Sequence, residues 1–113
     1  MKRFGRVLRL RPGMRQRYEQ AHQEIWPEVA ATIREIGIRN YSIFCYCDWL
    51  FSYFELPDGA NLDQVSSKAL ASEACQRWEK LMQELQEPLP ESGTSSWWVP
   101  MDELWHFDGA VEK

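Results

Sequence analysis

The stretch RNYSIFCYCDWLFSYFEL, residues 39–56, decides how the rest of the chain must be arranged. Its first half, RNYSIFCY at 39–46, is aromatic and β-branched, as is LFSYFEL at 50–56. A short turn near Cys47, Asp48 and Trp49 separates them, so the pair reads as a β-hairpin. Pro57, Asp58 and Gly59 end it. Upstream, residues 14–36 carry a helical pattern: at about 100° per residue, Tyr18, His22, Ile25, Val29, Ile33 and Ile36 fall within one third of the wheel. Pro27 interrupts that pattern. It either kinks the helix or opens a second one at its first position. Gly37 supplies the stop. Residues 3–11 alternate well enough for a strand, closed by Pro12 and Gly13.

Downstream of the hairpin, Asn61 can cap a short helix, with Gln64 placed for a capping-box contact. Ser72 can cap the next, where Ala74, Trp78, Leu81, Met82 and Leu85 form an apolar stripe. Residues 88–96 (PLPESGTSS) are a loop. Residues 101–107 (MDELWHF) are expected to be the last strand, and 108–113 a frayed tail. The order predicts an α+β, ferredoxin-like βαββαβ domain spanning residues 1–113, with a four-stranded antiparallel sheet and helices on one face. The other face has no helices left to cover it. A second copy of the sheet is the simplest cover, which predicts a homodimer.

Composition narrows the function classes. The 113 residues are one domain's worth and need no metal or disulfide to fold. The net charge of −4 argues against a nucleic-acid partner. Lys2, Arg3, Arg6, Arg9 and Arg11 do cluster, but they alternate with Phe4, Val7, Leu8 and Leu10, so a solvated strand face accounts for most of them. No apolar run reaches membrane-span length and no signal-peptide pattern is present. Three cysteines, Cys45, Cys47 and Cys75, fit reduced thiols in a cytoplasm. Two histidines, His22 and His106, make a weak metal set, so no metal is expected. No Gly-rich phosphate loop or nucleophile elbow occurs.

Tyr18 and His22 are four apart and share the sheet-facing side of their helix. They are either a mutually satisfied buried pair or the polar part of a pocket wall. Trp97 and Trp98 follow a Gly/Ser/Pro loop, where they suit either a sugar-stacking surface or a dimer interface.

With these segments in place, YEQAHQEIWPEV at 18–29, NYSIF at 40–44, ACQRWEKLM at 74–82 and DELWHF at 102–107 resemble the successive motifs of the L-rhamnose mutarotase family. The most specific is the run from His22 to Glu28. The resemblance implies a ferredoxin-like fold of the dimeric α/β barrel type. It implies an isomerase that interconverts the α and β anomers of L-rhamnose in the cytoplasm without metal or organic cofactor. His22 would be the catalytic acid/base, and Tyr18, Tyr41 and Trp78 would bind the monosaccharide. Trp26, Trp97 and Trp98 are candidate pocket walls. Glu79 stands where family members often carry a second Trp. That departure bears on which sugar fits, with L-fucose the rival substrate. Rivals of another class are a non-catalytic ligand-binding dimer and a haem-using or cofactor-free oxygenase of the same layout.

Overall fold

The computed structural model describes residues 1–94 and 96–109. In chain order the elements are β1 (Lys2–Leu10), α1 (Arg15–Gln23), α2 (Pro27–Ile36), β2 (Arg39–Tyr46), β3 (Trp49–Leu56), α3 (Leu62–Leu70), α4 (Glu73–Leu85), β4 (Gln86–Glu87) and β5 (Val99–Met101). The sheet order is β2-β3-β1-β4, all antiparallel, with β5 also paired to β1. This is the ferredoxin-like plan, with its fourth strand divided into two short pieces.

Local chemistry explains the boundaries. Pro27 takes the first position of α2, where its missing N–H costs nothing, so of the two expected outcomes it opens a second helix rather than kinking one. Gly37, at φ 97°, closes α2, with Ile38 N–H returning to Ile33 O at 3.3 Å. Asn61 Oδ1 accepts from the Gln64 N–H at 2.9 Å to start α3, and Ser72 Oγ accepts from the Cys75 N–H to start α4. The hairpin turns on Cys47 and Asp48, with φ 48° and 65°. Positive φ at both central residues is the twist that tight hairpins need. Trp49 therefore belongs to β3 rather than to the turn.

The final strand departs from expectation. It lies at Val99–Met101, not at 101–107, and Gln86–Glu87 form an additional short strand. Pro88 and Pro90 explain the interruption, because proline cannot donate to a ladder. Leu104, Trp105 and Phe107 are apolar as a strand would favour but remain 94%, 79% and 66% exposed. The composition is there without a partner strand for it among the described residues. From Ala110 onward, the expected frayed tail lies outside the described residues.

Period-two alternation sorts the sheet into two faces. Leu8, Leu10, Leu50, Ser52, Phe54 and Leu56 are buried on the inner face. Leu8, Leu10 and Leu50 form a core with Tyr18 of α1 and Met82 and Leu85 of α4. The outer face carries the cross-strand neighbours Phe44 and Phe51, with Tyr46 and Met101, all exposed.

Candidate active site

Between the helices and the inner sheet face lies a cavity of about 970 Å³, whose lining includes Arg6, Tyr18, His22, Tyr41, Trp78 and Glu79. Each reaches it for a local reason. His22 is in the last turn of α1, one turn after Tyr18. Trp78 and Glu79 are on α4. Tyr41 arrives through a β-bulge: Arg39 opposes Glu55 and Ser42 opposes Tyr53, so one residue too many lies between them. Asn40 absorbs the surplus at φ 52° and donates from Nδ2 to Glu55 Oε1 at 2.7 Å. A bulge re-aims the neighbouring side chain, and the Tyr41 ring sits 5.4 Å from that of Phe54, on the inner face.

His22 Nδ1 lies 2.9 Å from the Tyr18 carbonyl oxygen. A carbonyl only accepts, so Nδ1 carries the hydrogen and the neutral ring keeps its lone pair on Nε2. The ring centre stands 4.5 Å from that of Tyr18 and 5.3 Å from that of Trp78, to which it is nearly perpendicular. Burial lowers its pKa, only partly opposed by the carbonyl contact, so the imidazole stays neutral below the usual histidine range.

The two phenols are set differently. Burial pushes the Tyr18 hydroxyl well above the ordinary phenol range, so it remains a neutral hydrogen-bonding group. Gln86 Nε2 donates to it at 3.4 Å, while the buried Gln86 Oε1 has no partner among the described residues. Tyr41 Oη accepts from Arg6 Nη2 at 2.7 Å, and the phenol keeps its own proton to donate. The Arg6 guanidinium also donates to Ser52 Oγ and lies about 5 Å from the ring centres of Phe54 and Trp98.

The expected site residues are thus largely brought together. Tyr18, His22, Tyr41 and Trp78 line one cavity, and Trp98 joins them. Trp26 packs on the edge of Trp78, at 5.3 Å, behind the lining. Trp97 packs against the core rather than the cavity. His106 is far along the chain, beside Glu103 at 4.0 Å. Arg6 was hidden by its neighbours. It belongs to the inner set with Phe4, Leu8 and Leu10, and strict alternation along β1 is the signal that could have found it. Gln86 fell at the junction of helix and loop, with no pattern to mark it. Among the described residues, no three His, Cys, Asp or Glu side chains converge to hold a metal ion.

A largely apolar cavity that holds a neutral histidine, two phenols and two tryptophans is a setting for sugar chemistry. The comparisons agree. A family model described as L-rhamnose mutarotase matches residues 3–107. The chain belongs to the L-rhamnose mutarotase family. The L-rhamnose mutarotase of Listeria monocytogenes (strain EGD-e) is 34% identical over 94 residues, which cover 81% of this chain and 86% of that protein. That of Lactiplantibacillus plantarum is 31% identical over 112 residues, covering 96% and 100%. Among solved structures, the L-rhamnose mutarotase of Formosa agariphila superposes with a TM-score of 0.76 at 21% identity, over 96% of this chain and all of the other. Tetracenomycin F2 cyclase of Streptomyces glaucescens, a polyketide cyclase, reaches 0.70 at 17% identity, so its likeness is one of fold. Both neighbours support the ferredoxin-like plan read from the strand order.

Proposed function

We propose that this protein catalyses the interconversion of the α and β anomers of L-rhamnose, with His22 as the proton-transfer group. The observation that carries the reading is the His22 tautomer: a neutral imidazole with its lone pair on Nε2, in the wall of a largely apolar cavity.

In the reaction, His22 Nε2 takes the proton of the anomeric hydroxyl. Electrons from that oxygen form the carbonyl as the C1–ring-oxygen bond breaks, and the ring oxygen gains a proton. Rotation about the C1–C2 bond exposes the other carbonyl face, and the steps reverse. The Tyr18 and Tyr41 hydroxyls suit hydrogen bonds to the sugar. Trp78 and Trp98 suit its C–H faces, and Val29, Ile33 and Ile43 offer apolar wall for the 6-methyl group. Proton transfer by a positioned histidine supplies typically ~10²–10⁴-fold, which is enough for a reaction that already proceeds in water. Saturation-transfer NMR between the α and β anomeric protons of L-rhamnose is the test. Exchange well above the buffer rate is expected; exchange at the buffer rate overturns the proposal.

We further propose a single-domain protomer that works as a homodimer in the cytoplasm. Phe44, Tyr46, Phe51 and Met101 expose large apolar side chains on the outer sheet face, and Leu104, Trp105 and Phe107 are exposed as well. Large apolar side chains exposed on one sheet face mark a contact surface. Cys45, Cys47 and Cys75 are all unpaired, which suits a reducing compartment, and no helix among the described residues is long and apolar enough to cross a membrane. Sedimentation at micromolar concentration should give a dimer, and Phe51→Glu should shift it to monomer. A wild-type monomer overturns the assembly.

A further inference from the structure

The mechanism needs an acid at the ring oxygen, and His22 is occupied as the base. We propose that the carboxyl group of Glu79, which lines the same cavity, is the general acid that protonates the ring oxygen as His22 takes the anomeric proton. The inference rests on the mutarotase reading.

The geometry singles out this residue. Glu79 follows Trp78 on α4, and Trp78 touches the His22 ring. Glu79 is half-buried, yet among the described residues its side chain makes only one weak hydrogen bond, accepting from Gln83 Nε2 at 3.5 Å one turn further on. A half-buried carboxyl with so little internal satisfaction is free to engage a ligand. The other candidate donors are worse acids. Tyr18 and Tyr41 are phenols, weaker acids than a carboxyl, and burial makes Tyr18 harder still to ionise. Burial raises the Glu79 pKa above the ordinary carboxylate range, outweighing the opposing Arg6 charge and Gln83 contact. One group is thus kept neutral as a base and the other is made easier to keep as an acid, the separation that assigns acid–base roles.

The proton count closes. His22 Nε2 gains the O1 proton, the C1–O5 bond breaks as the C1=O1 bond forms, and O5 takes the Glu79 proton. The intermediate is the open-chain aldehyde, beside an imidazolium and a carboxylate. On reclosure from the other face, the carboxylate recovers the O5 proton and the imidazolium returns one to O1. Both groups end as they began, with no outside proton.

The test uses the full-length protein and L-rhamnose, with anomer exchange measured across pH and the hydroxide-driven background subtracted. Other charged or titratable groups lining the cavity are Arg6 on β1, Tyr18 on α1, Arg34 on α2, Arg39 and Tyr41 on β2, and the Cys75 thiol on α4. None of them is a carboxyl. Glu79→Gln keeps size and hydrogen bonding but cannot donate a proton. It should lower kcat roughly 10²-fold, leave KM nearly unchanged and abolish the alkaline decline of the rate. Glu79→Asp should restore that decline and part of kcat. If Glu79→Gln keeps the wild-type kcat or its alkaline limb, or raises KM alone, the acid role is overturned. If the wild-type protein itself exchanges no anomers, the mutarotase reading falls first, so the two failures are distinct.

Discussion

His22→Ala is expected to slow enzymatic anomer exchange by roughly 10²–10⁴-fold, the typical contribution of one positioned acid/base. The fold should survive. His22 is only partly buried, and its one hydrogen bond runs to a carbonyl of its own helix. Losing such a bond costs about 1 kcal/mol. Circular dichroism and thermal melting should therefore stay near wild type while exchange collapses. The truncated ring leaves space beside Tyr18 and Trp78, so added imidazole should recover part of the rate. The pH profile carries a further signature. Burial disfavours the charged imidazole, which places its folded-state pKa below 6.5. The acid limb of wild-type kcat/KM should then fall below pH 6.5, since the base is lost only when it binds a proton. An unfolded variant, wild-type exchange, or an acid limb above pH 6.5 would each contradict the assignment.

The second large effect concerns sugar configuration. L-rhamnose is expected to exchange fastest, L-mannose somewhat more slowly and L-fucose slowest. L-fucose differs from L-rhamnose in the orientation of ring hydroxyls. Each misdirected hydroxyl leaves a polar group such as the Tyr18 or Tyr41 hydroxyl without its partner. That costs roughly 1–3 kcal/mol per group, about 5- to 150-fold in rate. L-mannose keeps the ring pattern and replaces only the 6-methyl with a hydroxymethyl. The methyl contributes about 0.8 kcal/mol if buried like a CH₂ group, about fourfold. Exchange rates for the three sugars at equal enzyme and temperature decide the order. If L-fucose leads, the substrate assignment is wrong and the reaction class stands.

Much of this was readable along the chain because the signals were local. Asn61, Ser72, Pro27 and Gly37 each do one thing to the backbone within a few residues, and they set element boundaries as expected. The Tyr18–His22 pairing is one turn of helix, so helical periodicity carried it. What could not be read depended on distant partners. MDELWHF is apolar enough for a strand, but composition says nothing about whether an edge is available to pair with. Arg6 looks like one more exposed basic residue until β1 is packed, when strand parity turns it inward onto Phe54 and Trp98. The bulge at Asn40 is similar. Its register shift exists only relative to β3, yet it brings Tyr41 over Phe54.

The division of the fourth strand has a consequence for how such a protein can diversify. Gln86–Glu87 pairs with Leu10 and Arg9, and Val99–Met101 with Val7, Arg6 and Gly5, so each piece finds its own register on β1. The segment between them, residues 88–98, ends in the Trp98 that lines the cavity. Its length can change without moving either paired piece, because closure entropy rises by only about 0.6 kcal/mol per doubling of a flexible loop. Leu89, Trp97 and Trp98 pack on the core, so such changes fall between those anchors and leave the central strands and the helix bearing His22 in place. The segment therefore behaves as an exchangeable cassette: lineages can rewrite one wall of the sugar cavity by insertion or deletion there, while the scaffold that holds the proton-transfer group is inherited intact.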